Sequence, residues 1–319
     1  MHYISFLDTS AQSLQSIRKK QSTITLRGYN PDTWIPPEFS DITLPVNLLA
    51  YNQCPTHRDV YLNKVENIPL PESWNRYQGL IIDELYKKMH GLILDSAKEM
   101  KIKNFKLYEY LINKQDEIID EVKKKFQKKL RPIYPSPNDR QLAEFDKQLK
   151  KIIRFEAELS SALVDFKISK QMNIRLSSTI EDLFPFTLDL TLSANHQGFS
   201  EPATPDFIYK HQVIGDIKTG SWKEYFHYTY TAYALAYECD KHNDIDYGTI
   251  LNVELTASRA VPLLRQTTLE IISDEIRKRF LIIRNKKLEI VYKGEDPGHP
   301  AKALCDPKGC GYYFHCWGS

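Results

Sequence analysis

Two aspartates and a lysine within one short stretch have the clearest chemical potential in this 319-residue chain. The segment from Pro205 to Lys218 reads as a β-hairpin. With a three-residue loop from Lys210 to Gln212, Tyr209 faces Val213, Ile208 faces Ile214, and Asp206 lies opposite Asp216. Directly opposed side chains sit roughly 4.5–5.5 Å apart at Cβ, where like charges destabilise a sheet unless something positive lies between them. Lys218, two residues past Asp216, points to the same face, whereas Phe207, Tyr209, Val213 and Ile217 point to the other. Ile208 and Ile214 share the charged face, so neither side of the hairpin reads as freely solvated. Carboxylates in such a place need a partner, and a hard divalent cation, magnesium or manganese, is the natural one. With that cation the trio suits phosphodiester hydrolysis, Lys218 stabilising developing negative charge. The simpler alternative is a surface hairpin with an Asp–Lys ion pair, and spacing alone does not choose between the two.

The second group is the cysteines. Cys305, Cys310 and Cys316 crowd the C-terminus amid Pro307, Gly309 and Gly311, Cys54 stands near the other end, and Cys239 lies mid-chain. Five cysteines in a chain this long are too few for a disulfide-stapled scaffold, and grouped thiols in a reducing compartment are more often metal ligands. A loop of this kind can wrap thiolates around one metal centre, with Cys54 as the best fourth ligand and Cys239 as a buried thiol. Tetrahedral zinc is the rival occupant, although paired Cys-x-x-Cys knuckles are missing.

The elements that must position these groups follow from periodicity. Residues 1–50 carry Pro31, Pro36, Pro37 and Pro45 and read as an irregular entry with one short helix. Helical spacing predicts a helix from Tyr77 to Lys98, a charged helix over 104–130 ended by Pro132, Pro135 and Pro137, and an amphipathic helix over 139–168. Strands are expected at 174–180, 186–193, 205–209 and 212–219. A Tyr-rich helix at 222–239, a strand at 247–256 and a helix at 267–289 complete the order. The domain reading is an N-terminal segment 1–76 that bears Cys54, a helical region 77–172, a sheet-bearing core 173–292 and a cysteine-rich segment 293–319.

Pro205-Asp206, nine residues, then Asp216-Ile217-Lys218 resembles the PD-(D/E)xK nuclease signature. RecB-like members of that superfamily follow it with a helix bearing Gln-x-x-x-Tyr. Here Tyr233-Ala234-Leu235-Ala236-Tyr237 is similar, with Thr229 at the Gln position. They also carry an earlier helix with a metal-ligating His, which Gly79-Leu80-Ile81-Ile82-Asp83 matches with Asp83 in its place; His90, Glu84 and Glu156 are weaker candidates. Cys54-Pro55-x-x-Arg58-x-x-Tyr61-Leu62 with three C-terminal cysteines resembles the iron–sulfur nucleases of CRISPR adaptation, in their longer archaeal form.

This resemblance implies an α/β PD-(D/E)xK core, a mixed sheet flanked by helices, with an inserted helical region and a C-terminal iron–sulfur segment. It implies Asp206, Asp216, Lys218 and Tyr233 as catalytic residues and Asp83, Asp206 and Asp216 as ligands of Mg2+ or Mn2+. Cys54, Cys305, Cys310 and Cys316 would hold a [4Fe–4S] cluster. The implied activity is a metal-dependent exonuclease that trims single-stranded DNA ends of spacer precursors beside the CRISPR integrase. A non-catalytic DNA-binding or scaffolding subunit is the alternative, motivated by Asp83 and Thr229.

Bulk composition neither adds to nor subtracts from this reading. Lys and Arg total 43 against 41 Asp and Glu, so attraction to a polyanion must come from local clustering. Residues 101–131 hold ten Lys or Arg against five Asp or Glu, a backbone-binding face or simply a solvated one. No secretory signal and no membrane-length apolar run is present, so a cytoplasmic protein is expected.

Overall fold

Alternating apolar residues around Asp206–Lys218 build the centre of a five-stranded sheet that is buried on both faces. The computed structural model describes residues 14–19, 23–99, 106–133, 136–170, 176–200, 202–219, 222–254, 263–307 and 310–318. The strands are β1 (Phe186–Thr187), β2 (Phe207–Tyr209), β3 (Val213–Thr219), β4 (Tyr247–Glu254) and β5 (Leu263–Ile271), in sheet order β1-β2-β3-β4-β5. All neighbours are antiparallel except β3 and β4. A parallel pair requires a crossover, and the Tyr-rich helix Phe226–Lys241 provides it. The molecule is thus mixed α/β.

Successive strand residues feed two different cores. Phe207, Tyr209, Val213, Leu251 and Val253 join one core with the helical region. Ile208, Ile214 and Ile250 join the other, with Tyr230, Ala234 and Leu235 of the crossover helix and Phe280 and Leu288 further on. The helical region comprises α3 (Trp74–Glu99), α4 (Leu107–Asn113), α5 (Gln115–Leu130), α6 (Asp139–Lys170) and α7 (Leu176–Leu183), preceded by the short α1 (Val46–Ala50) and α2 (Arg58–Lys64). The crossover helix is α8, followed by α9 (Asp274–Lys293) and α10 (Tyr313–Trp317). Tyr77, Ile81, Leu85, Met89 and Ile93 bury one stripe of α3 against the first core, as their i, i+4 spacing predicts.

Several expectations are corrected. Described residues of 174–180 are helical, not extended: Leu176, Thr179 and Ile180 recur at i, i+3, i+4 and bury one face of α7. The expected strand at 186–193 shrinks to two residues, after which Asp189 takes a left-handed φ of 53°. The helix over 104–130 is two helices, broken at Lys114, which caps the end of α4 and the start of α5. The helix expected from 267 begins only at Asp274, because Leu263–Ile271 pairs along β4 as β5. The Tyr-rich helix starts at Phe226 rather than 222. The N-terminal segment holds more helical turns than expected, at Pro31–Thr33, Pro37–Phe39 and Val46–Ala50.

The N-terminal segment is tied to this frame by buried charge. Arg27 and Arg277 both bond the Glu238 carboxylate, at 2.6 and 2.7 Å, and the Gly28 N–H donates to it at 2.8 Å. Among the described residues no helix is long and apolar enough to cross a membrane.

Candidate nuclease site

The hairpin register is the one its sequence predicts. Tyr209 pairs with Val213, Ile208 with Ile214 and Phe207 with Gly215, so the next step sets Asp206 across from Asp216. The loop between them turns on two left-handed residues, Lys210 (φ 49°) and His211 (φ 54°). Gly215 is required here: a Cβ would lie 2.0 Å from the Phe207 ring packed over it.

Asp216 is 2% exposed, and its Oδ2 forms an ion pair with Lys218 rather than a directed hydrogen bond. Asp206 accepts the Ile217 N–H at 2.6 Å. Burial and then the charge of Asp216 push the Asp206 carboxyl up to about 8. Burial opposes the Lys218 ammonium, yet Asp216, Tyr51 and Asp206 hold its pKa well above the usual lysine range. Its Nζ lies 5.5 Å from the Tyr51 ring centre and 6.0 Å from that of Phe226. Tyr233, on the same face of α8 as Phe226, is raised by burial and by the charges of Asp216 and Asp206.

α3 contributes the third acidic position. Asp83 is pushed up to about 7 by burial and then by the charge of Asp206, which sets the two carboxyls within electrostatic reach. One Asp83 oxygen, Oδ1, is buried without a hydrogen-bond partner, and Oδ2 pairs with Lys87 at 3.1 Å. Lys87 also bonds Asp189 at 2.9 Å. Among the described residues no three His, Cys, Asp or Glu side chains converge in ready ligand geometry. The donor set nonetheless fits a hard cation: oxygen ligands only, two carboxyls raised first by burial and then by a neighbouring carboxylate, and a buried oxygen with no hydrogen-bond partner among the described residues.

The weaker candidates are otherwise engaged. His90 is buried, with its Nε2 3.1 Å from the Phe184 carbonyl and its ring edge-on to Phe186. Glu84 pairs with Lys125 at 2.5 Å. Glu156 is buried within α6 at 1% exposure.

All four sequence-selected cysteines, Cys54, Cys305, Cys310 and Cys316, line one small cavity together with Asp59 and Trp317. Arg58 donates to the Cys316 sulfur at 3.4 Å while pairing with Asp296, and the Trp317 indole donates to Cys305 at 3.4 Å. Burial raises the thiols of Cys310 and Cys316, and the other cysteines add to both shifts. Thiols are the donors that an iron–sulfur cluster or zinc takes, and among the described residues these four line one cavity without converging in ready ligand geometry. Cys239 stands apart, packed on the second core. The cavity adjoins the acidic site in the chain: Tyr51 precedes Cys54 by three residues, and Lys223 pairs with Asp306 at 3.3 Å.

The sequence reading missed three features. Lys87 was findable, one turn past Asp83 on the same helix face. Tyr51 carried no signal, since only tertiary packing brings it to Lys218. Asn252 is the third: it is fully buried, the register partner of Lys218 on β4, and both amide atoms lack hydrogen-bond partners among the described residues.

A model of the family described as "CRISPR-associated exonuclease Csa1" matches residues 5–319. A curated "CRISPR-associated exonuclease Csa1" from Saccharolobus solfataricus is 29% identical over 156 residues, 49% of this chain. That match spans about half the relative's length, 52% of it. No solved structure matches the chain.

Proposed function

Because the chain belongs to the Csa1 family of CRISPR-associated exonucleases, we propose that it is a divalent-metal-dependent DNA exonuclease with a PD-(D/E)xK-type cutting centre. Asp206 and Asp216 would hold the cation, with Asp83 as third ligand. A bound magnesium or manganese ion would polarise the scissile phosphate and lower the pKa of a water. Lys218 faces the negative charge that builds on the phosphate as water attacks phosphorus and one P–O ester bond breaks. Tyr233 closes the site from α8 and keeps it dry. The substrate read from the family resemblance is the single-stranded end of a spacer precursor, trimmed beside the CRISPR integrase. In the same reading Cys54, Cys305, Cys310 and Cys316 hold a [4Fe–4S] cluster whose role is structural, joining the N-terminal segment to the C-terminus.

The observation that carries this reading is the buried Asp206–Asp216 pair with Lys218 beside it, an arrangement too costly for a surface ion pair. The test is an end-labelled single-stranded DNA assay on anaerobically purified protein, with and without manganese. Asp216→Ala abolishes metal-dependent cleavage and leaves the iron content unchanged; cleavage at the wild-type rate sinks the assignment. A second reading, a non-catalytic DNA-binding subunit, draws on Asp83 and Thr229, which stand where the resemblance expects His and Gln. Wild-type protein that binds single strands and cleaves none of them under any divalent metal favours it.

A further inference from the structure

A fully buried carboxamide with neither its donor nor its acceptor in use is costly, because it has given up water for nothing. Asn252 is such a group, at 0% exposure with Oδ1 and Nδ2 both unpartnered among the described residues. Val or Leu would fill the same place in β4 without that cost. Its surroundings say what it waits for. In the parallel pair β3–β4, Lys218 and Asn252 are register partners, so their side chains stand side by side on one face. The same face carries Asp216 and Ile250, and α8 covers it. A second unpartnered group among the described residues, the Thr229 hydroxyl, lies on the α8 face between Phe226 and Tyr233, both of which approach Lys218.

The Lys218 ammonium sits over the Tyr51 and Phe226 rings with Asp216 as its ion-pair partner. In the proposed function that carboxylate has a second duty as a metal ligand, and it cannot serve both fully. We propose that Asn252 is the positioning residue for Lys218: its Oδ1 is the acceptor to which the ammonium turns when the Asp216 carboxylate is engaged by a cation. The amide thereby frees Asp216 and keeps the lysine on the reacting side of the site. This inference rests on the reading of Asp206 and Asp216 as metal ligands.

The test measures Mn2+ binding by calorimetry on the full chain, beside thermal unfolding of metal-free protein. Asn252→Leu, close in size and without an acceptor, weakens Mn2+ binding about tenfold, the effect of one hydrogen bond to a charged group. Its metal-free form melts no lower than the wild type, because no hydrogen bond among the described residues is lost. In a Lys218→Ala background the same substitution changes Mn2+ affinity no further, since the amide acts through the lysine. Asn252→Asp, which keeps an acceptor, binds Mn2+ at least as tightly as the wild type. Wild-type affinity in Asn252→Leu overturns the proposal, as does an equal tenfold loss without Lys218. A loss of affinity in Asn252→Asp overturns it too, and serves if the Leu variant does not fold. Asp216→Ala separates the two levels: undiminished Mn2+ binding there defeats the metal-site reading itself, whereas lost binding there with a normal Asn252→Leu defeats only the role of the amide.

Discussion

Asp206 carries a cost that depends on pH in a predictable direction. Its carboxyl is raised from the usual aspartate range to about 8, first by burial and then by Asp216. In the unfolded chain it titrates at roughly 3.9. Between those values the folded state holds a proton that the unfolded state has released, so stability from this group is complete at low pH and is lost as pH rises toward 8. Each pH unit in that window is worth at most about 1.4 kcal/mol. Asp206→Asn removes the titration but keeps an oxygen to accept the Ile217 N–H. Urea unfolding of metal-free wild type and variant from about pH 5 to about pH 8 reads the effect: the His57 shift is shared and cancels in the difference, and the part of the Asp83 shift that the Asp206 charge causes acts in the same direction. The variant gains on the wild type by up to about 1.4 kcal/mol per pH unit as pH rises. Saturating Mn2+ then stabilises the wild type by about 2.7 kcal/mol at a hundredfold excess over Kd and the variant by less. A flat difference, or one that shrinks with rising pH, refutes the argument that mutual repulsion and burial hold this carboxyl protonated.

Three other outcomes are expected. Glu238→Gln leaves the fully buried Arg277 guanidinium without its carboxylate, while Arg27 keeps Asp246, and lowers unfolding free energy by about 3–5 kcal/mol in urea titrations. Gly248→Ala forces a methyl to 2.2 Å from the Tyr230 ring and costs about 1–3 kcal/mol, read in the same way. On the proposed reading of an iron–sulfur cluster at the four cysteines, Arg58→Ala removes an N–H donor to the Cys316 sulfur and the Asp296 ion pair and speeds the loss of iron in air, followed by the decay of visible absorbance.

The hairpin was legible in the sequence because its information is local: alternation and a three-residue loop fix which residues oppose one another, and the observed pairs agree. α3 and α6 were legible for the same reason, each having a long apolar stripe. β5 was not. Leu269 and Ile272 fit a helical stripe as well as a strand, and only the open edge of β4 decides for pairing. Residues 176–180 failed in the opposite sense, alternation and the β-branched Thr179 and Ile180 suggesting extended chain while the buried face of α7 imposed a helix. Among the chemical groups, Asp83 was reachable through motif spacing, whereas Tyr51 and Asn252 depend on long-range packing that no spacing encodes.

Tyr51 has a further consequence for how the two halves of the molecule depend on each other. The buried Lys287 ammonium on α9 donates to the carbonyls of Leu48 and Leu49, at 2.8 and 3.2 Å, and to that of Tyr51. Those are the free carbonyls at the end of α1, and a cation there satisfies them and opposes the negative end of the helix. Burial lowers Lys287 to about 8, with Asp59 and Cys54 opposing the shift. One lysine therefore fixes the backbone whose ring covers Lys218 and whose continuation, three residues on, bears Cys54. Asp59 connects the two settings, since it lines the cysteine cavity and faces Lys287. The cysteine-bearing loop and the ring over Lys218 are thus joined by a short covalent and hydrogen-bonded route. In this geometry a structural role for the cysteine segment and the placement of Lys218 are one requirement, met by the same stretch of chain from Leu48 to Asp59.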